Sequence, residues 1–161
     1  KEGEFDQVDR VLFDLKHNPA SRRILTNMYN FEDLHEMHLY PCAYSMTFNV
    51  SGNVLNGILH QRSNDMLTAN NWNVVQYSVL LLMFAQVSGL QAGELVHVIA
   101  DAHIYDRHIP IVEKILQKPR HPAPKLVMDT SIDDFYKFTT DSFSLEGYEW
   151  EPLDEKIPVA I

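Results

Sequence analysis

Cys42 is the one cysteine in 161 residues, and it follows Pro41 at the head of an apolar segment. A solitary cysteine is commonly a small buried hydrophobe. Beside positive charge it becomes a nucleophile, because that charge favours thiolate over thiol, and Arg22, Arg23 and Arg62 are the candidates to supply it. The pairs Arg22-Arg23 and Arg62-Ser63 also suit a phosphate, since guanidinium groups offer several donors in a fixed fork and a serine adds a short one. Surface ion pairs account for the same arginines. His103 and Tyr105 can reach a shared ligand if Asp101 to Asp106 forms a loop at a strand end; a structural histidine and a core tyrosine are the ordinary alternatives. In Asn70-Asn71-Trp72-Asn73, Asn73 both donates and accepts hydrogen bonds, so it can complement a uracil-like edge, and Trp72 can pack beside a ring. A capping pair between Asn73 and Gln76 is the competing structural explanation. No histidine pair has the HExxH spacing and there is no glycine-rich nucleotide loop, which moves metal and dinucleotide chemistry down the order.

Several elements must position these groups. Phe5, Val8, Val11, Leu12 and Leu15 fall on one helix face ahead of Asn18-Pro19, predicting an amphipathic helix over 5–17. Residues 21–25 read as a short strand or an extended loop, and Phe31 to His38 as a short helix ended by Pro41. Tyr44 to Val50 and Val54 to Gln61 alternate around Ser51-Gly52-Asn53, the pattern of a β-hairpin. Asn56 and Gly57 mark a bulge or a twisted passage in its second arm, and Arg62 and Ser63 emerge at its end. Residues 73–88 have a broad apolar helical face and a stop at Gly89, which predicts burial between a sheet and other helices. Leu95 to Ala100 predicts another buried strand, residues 108–117 a helix, and Lys125 to Asp129 and Ser142 to Glu146 two later strands. No repeat, linker or second core is visible, so the sketch is one α+β domain, or most of one.

Composition narrows the function classes. Thirteen basic against twenty-two acidic residues gives a formal charge of −9, which argues against nucleic acid spread over the whole surface while allowing a local basic pocket. With 45% apolar and 22% charged residues, disorder is a poor description. The longest apolar stretch, Tyr77 to Val87, is too short for a bilayer span, and Lys1-Glu2-Gly3-Glu4 does not resemble a secretory signal. One cysteine cannot close an internal disulfide, which suits a reducing compartment.

Taken in order, Ser21-Arg22-Arg23, Tyr40-Pro41-Cys42, Gln61-Arg62-Ser63-Asn64-Asp65, Asn73, His103-Ile104-Tyr105 and Pro158-Val159-Ala160-Ile161 resemble the C-terminal part of folate-dependent thymidylate synthases, in the form found in Bacillus and related bacteriophages. The resemblance implies an α+β, three-layer fold with a mixed, largely antiparallel sheet and packed helices. Residues 1–161 would be the C-terminal portion of a single catalytic domain whose N-terminal part is missing, with the sheets forming the main face of a homodimer. It implies Cys42 as the nucleophile at C6 of dUMP, and Arg62 and Ser63 on the 5′-phosphate, with Gln61 in the phosphate-side network. Arg22 and Arg23 would reach the phosphate in the partner subunit's site. His103 and Tyr105 would bind the deoxyribose hydroxyl, and Asn73 would select the pyrimidine. Asp65 would contact the folate pterin and help organise the reaction, and Ile161 with the terminal carboxylate would close the folate pocket.

The implied reaction transfers one carbon from 5,10-methylenetetrahydrofolate to C5 of dUMP and reduces it to methyl, giving dTMP and dihydrofolate with no metal. Cysteine addition at C6 makes C5 nucleophilic, which is why the chemistry needs a thiolate. The folate is both carbon donor and reductant. A cytoplasmic location follows, with no DNA or membrane partner. Two other functions fit the same residues: a deoxyuridylate hydroxymethylase, in which water attacks the exocyclic methylene intermediate, and a noncatalytic nucleotide-binding or dimerisation fragment. The sequence departs from many relatives at Ala43, where they carry histidine, at Asn64, and in Ala69-Asn70-Asn71-Trp72. The upstream region that the family places before Lys1 carries a further phosphate arginine, a catalytic glutamate and a proton-transfer tyrosine, so full activity is expected of the intact parent rather than of residues 1–161 alone.

Overall fold

A computed structural model of the chain describes residues 6–159. The described residues divide into two compact units, one up to Ala102 and the other from His103. The first is built on helix α1 (Gln7–His17) and strands β1 (Leu25–Asn27), β2 (Ala43–Ser51) and β3 (Val54–Gln61), followed by the two-residue strand β4 (Asn64–Asp65), helix α2 (Asn70–Val87) and strand β5 (Gln91–Ile99). The order in the sheet is β1-β2-β3-β5. The first two pairings are antiparallel, and β3 with β5 is parallel. A parallel neighbour needs a crossover, and α2 supplies it.

Asp6 starts α1 by accepting hydrogen bonds from the backbone N–H groups of Val8 and Asp9 at 2.8 and 3.3 Å, the usual way an N-terminal orphan donor is satisfied. Val11 and Leu15 are buried beneath it. The β2–β3 turn falls where the sequence predicts it. Gly52 has φ +63° and no non-glycine residue among those described has positive φ, so the two-residue turn has the left-handed residue first, matching the strand twist. At Asn56 and Gly57 the hairpin ladder runs without a shift, and the irregularity there is instead in the β3–β5 ladder, between Leu55 and Gly57. Its extra residue is on β5, where the Asn56 side chain accepts from the Glu94 N–H at 3.0 Å. A second irregularity lies in β2 between Ala43 and Ser45, leaving Tyr44 as the inserted residue.

Period-two alternation divides the sheet into two faces. Met46, Phe48, Leu55 and Leu59 are buried on one, which packs beneath α2, and α2 contributes Leu81, Phe84 and Ala85 to the same core. Phe48 and Phe84 meet edge to face with centroids 5.2 Å apart. On the opposite face the register aligns Leu25, Thr47, Ile58 and Val96 across all four strands. Here the expectation of a buried strand over Leu95 to Ala100 needs correction. β5 runs from Gln91, and Val96 and Val98 are 47% and 46% exposed. Only alternate residues turn toward α2.

Other boundaries shift as well. α2 begins at Asn70, with Ala69 as its N-cap and no side-chain cap bond. The Asn73 N–H already donates to the Ala69 carbonyl at 3.0 Å, so Asn73 lies one turn inside the helix and does not cap it with Gln76. The short strand lies at Leu25–Asn27 rather than over 21–25, and Phe31 to His38 contains a single 3-10 turn, Leu34–Glu36.

The second unit begins within β6 (Ala102–His103) and contains α3 (Ile109–Leu116) and the antiparallel pair β7 (Lys125–Met128) and β8 (Phe143–Glu146), all near their expected places. Its terminal segment is tied down by the Arg107 guanidinium, which donates to the Val159 carbonyl at 2.9 Å, and by His108 Nε2, 2.8 Å from the Pro158 carbonyl. Since a carbonyl only accepts, that His108 nitrogen carries the proton. Ile161 and Ala160 lie outside the described residues. Among those described, no helix is long and apolar enough to cross a membrane.

The core contact of the first unit gives a direct expectation. Phe84→Ala in the full-length protein should lower unfolding free energy by about 3–5 kcal/mol through lost burial and an unfilled cavity. Urea unfolding checks it, and a loss under about 1 kcal/mol would show that Phe84 is not a core anchor.

Candidate active site

The open end of the β2–β3 hairpin gathers the reactive residues. Ala43 pairs with Gln61 there, so Cys42 and Arg62 leave the ladder side by side, joined by the Arg62 N–H donating to the Cys42 carbonyl at 2.9 Å. Cys42 is partly exposed and is a free thiol. The Arg62 guanidinium curls back over Tyr40 to Cys42. Its Nε donates to the Pro41 carbonyl at 3.2 Å, and its Nη2 donates to the Tyr40 carbonyl at 2.7 Å and points to Cys42 Sγ at 3.7 Å. Two carbonyls thus hold the cation beside the sulfur, where it is an electrostatic partner for negative charge on that atom.

An aromatic group backs the cysteine loop. Tyr29 meets Tyr44 with centroids 5.4 Å apart and Tyr40 at 6.4 Å, and its hydroxyl donates to the Pro41 carbonyl at 3.3 Å. The Pro41 carbonyl therefore receives both Tyr29 and Arg62. The bulge at Tyr44 lies in the same stretch, and bulges at strand ends commonly re-aim a neighbouring side chain.

The Gln61 side chain, only 2% exposed, points under α2. Its Nε2 donates to the Ser63 carbonyl at 2.8 Å and to Asn73 Oδ1 at 2.9 Å, and its Oε1 lies 2.8 Å from His97 Nε2. Gln61 thereby ties the Arg62-Ser63 turn to Asn73. Burial lowers the pKa of His97, since a desolvated imidazole resists protonation. Next to this group Asn64 is 1% exposed and its Nδ2 donates to Asn70 Oδ1 at 3.0 Å. The Asp65 carboxylate shapes the turn into α2, accepting from the Leu67 and Thr68 N–H groups at 2.9 and 3.2 Å and from the Thr68 hydroxyl.

Cys42, Gln61, Arg62, Ser63 and Asn73 are thus brought to one end of the first unit, with Asp65 following in the same turn. Arg22 and Arg23 are not. Both are exposed, and neither guanidinium has a partner among the described residues. They lie by the other end of the hairpin, where Ile24 accepts from the Phe48 N–H and Arg22 borders a cleft formed with Thr47 to Ser51. In the second unit, His103 and Tyr105 meet edge to face with centroids 5.0 Å apart. Among the described residues no group of three or more His, Cys, Asp or Glu is placed to hold a metal ion.

Sequence reasoning missed His97 and Tyr29. The signal for His97 was its isolation in Leu95-Val96-His97-Val98-Ile99, because a polar group turned into a packed layer needs a partner. Nothing local distinguished Tyr29, whose contacts are spread over three segments.

Comparison with known proteins supplies the lineage of this arrangement. The sequence model of the family described as thymidylate synthase matches residues 1–161. The chain is 45% identical to a Bacillus licheniformis thymidylate synthase over 144 residues, covering 89% of this chain and 52% of that protein. It is 42% identical to the Bacillus phage phi3T thymidylate synthase with the same coverage. A solved structure of thermostable thymidylate synthase A from Bacillus subtilis superposes with a TM-score of 0.90 at 39% identity, covering 100% of this chain and 57% of that one. The chain therefore spans about half the length of the curated relatives it matches. With a match along its whole length and the mixed sheet and helices of that solved structure, the chain belongs to the thymidylate synthase family.

Proposed function

We propose that the full-length protein carrying this chain is a thymidylate synthase that converts dUMP to dTMP with 5,10-methylenetetrahydrofolate. The observation that carries the reading is the joint placement of Cys42, Arg62 and Asn73 around the open end of one hairpin. A nucleotide whose ring lay over Cys42 would have the Arg62 cation and the Asn73 amide at the same end of the unit.

In this reading Cys42 adds to C6 of the pyrimidine, which makes C5 nucleophilic. Arg62, with its Nη2 toward the sulfur, steadies charge there as the adduct forms and later leaves. Asn73 Oδ1 accepts the ring N3–H, and its Nδ2 donates to O4. Arg62 and Ser63 hold the 5′-phosphate, and Gln61 supports that turn through the Ser63 carbonyl. His103 and Tyr105 are assigned to the deoxyribose hydroxyl on the resemblance. Both units would then belong to one catalytic domain, which the single family match over residues 1–161 favours.

The folate would supply both the carbon and the hydride. Asp65 is assigned to the reduced pterin on the resemblance. Ile161 keeps its proposed role at the folate pocket. Ala43 has no proton to give, so any proton relay next to Cys42 runs through another group.

Arg22 and Arg23 favour a homodimer. Six residues of extended strand separate Cys42 from Phe48, about 20 Å, so one protomer's Arg22-Arg23 pair and its Arg62 cannot clasp one phosphate. Two copies can, with Arg22 and Arg23 acting in trans. The row of Leu25, Thr47, Ile58 and Val96, together with exposed Val98, offers the apolar face for such a pairing. A cytoplasmic location completes the proposal.

Incubating the full-length protein with dUMP and methylenetetrahydrofolate should give dTMP and dihydrofolate in equal amounts. Neither product appearing would end the reading, and 5-hydroxymethyl-dUMP by mass would replace it with a hydroxymethylase. Cys42→Ser should lower turnover by about three orders of magnitude or more while retaining dUMP binding; normal turnover would remove Cys42 from the mechanism. Asn73→Asp should reduce the preference for dUMP over dCMP by about 10- to 100-fold, the cost of a mispaired buried polar group. An unchanged preference in competition assays would show that Asn73 does not face the base.

A further inference from the structure

We propose that His97 is a positioning residue for pyrimidine selection, holding Gln61 so that Asn73 presents one fixed amide orientation to the base. This rests on the reading of Asn73 as the base-facing amide. The Ser63 carbonyl can only accept a hydrogen bond. It therefore fixes the Gln61 nitrogen on its own side, at 2.8 Å. The same nitrogen reaches Asn73 at 2.9 Å, so the Asn73 atom there is the oxygen. Both Gln61 hydrogens are then used. Gln61 Oε1, inside a side chain 2% exposed, has His97 Nε2 at 2.8 Å, and that nitrogen must donate. Every group in the chain His97, Gln61, Asn73 has one role.

The polarity reaches the base. Asn73 Nδ2 has no hydrogen-bond partner among the described residues, and Oδ1 retains a lone pair. A donor beside an acceptor matches the O4 and N3–H of uracil. Cytosine offers a donor at N4 and an acceptor at N3, and it would require the Asn73 amide to turn over. Turned, the Asn73 nitrogen would face the Gln61 nitrogen, two donors in contact. Gln61 can relieve that clash only by turning as well, which sacrifices the Ser63 bond and sets its nitrogen against His97 Nε2, a contact that pairs only after the ring proton moves to Nδ1.

Removing His97 changes this balance. In the uracil orientation Gln61 Oε1 is left buried without a donor. In the cytosine orientation it is satisfied by the turned Asn73, but the Ser63 carbonyl and one Gln61 N–H are left instead. Both orientations then strand buried polar groups, whereas with His97 donating only the cytosine orientation does, so the preference for uracil shrinks. The strand geometry explains why His97 can act at this distance from Asn73. His97 sits opposite Leu59 in the β3–β5 ladder, and Gln61, two residues along, projects to the same face.

The test uses the full-length protein, with dUMP and dCMP as probes. Binding of each is measured by calorimetry for wild type, His97→Leu and His97→Gln, alongside unfolding midpoints and ¹⁵N NMR of the wild-type imidazole. His97→Leu should lower the dUMP-to-dCMP affinity ratio about tenfold. His97→Gln, which keeps a donor, should restore most of it, and the wild-type ring should be protonated at Nε2. A purely structural role would lower stability or both affinities together with the ratio intact, and that result overturns the proposal. So does a wild-type ring bare at Nε2, a readout that stands even if His97→Leu fails to fold. Wild-type protein that neither binds nor turns over dUMP overturns the thymidylate synthase reading and this proposal with it. Active wild type with an unchanged ratio in His97→Leu overturns this proposal alone.

Discussion

The ladder bond pattern where Ala43 meets Gln61 is the constraint from which the site follows. Antiparallel pairing there puts the residue before β2 and the residue after β3 next to one another, and the Arg62 N–H to Cys42 carbonyl bond closes the join. Cysteine and cation need no long loop to meet. Because side chains alternate along a strand, the same register turns Gln61 inward under α2 while Arg62 reaches back over the cysteine. One piece of backbone geometry thereby sets both the Gln61 amide and the Arg62 cation.

Rigidity around that join comes from different physics on its two sides. Under α2 it is a polar chain within a packed layer, where a hydrogen bond left unmade is costly. Gln61 and Asn64 are both almost fully buried; the Gln61 amide is spent on Ser63, Asn73 and His97, and the Asn64 nitrogen on Asn70 in α2. Around the cysteine it is an aromatic and carbonyl cradle, in which Tyr29 and Arg62 share the Pro41 carbonyl. The Asp65 turn connects the two, since its carboxylate organises the backbone that leads from β4 into α2.

Local patterns in the sequence carried the hairpin, its glycine turn and the later strands, because each depends on neighbours a few residues apart. The start of α2 was misread because Asn73 has good capping chemistry, yet tertiary contacts let the helix begin at Asn70 without a side-chain cap. β5 was read as buried because Leu95 to Ile99 is apolar throughout, and apolar letters do not distinguish a face covered by its own helix from one left open. For the site, Cys42 and Arg62 were legible as types, but their contact depends on a ladder between segments twenty residues apart. The His97 to Asn73 chain was not legible, since it links a strand, a second strand and a helix by side chains alone.

The inserted residue Tyr44 has a consequence for how this hairpin can change over evolutionary time. With one extra residue already absorbed between Ala43 and Ser45, gaining or losing a single residue elsewhere in either arm would swap inside for outside along the rest of that arm. Length variants that preserve the reactive sulfur's aim should therefore add or remove residues in matched pairs at the Gly52 tip, lengthening or shortening both arms at once.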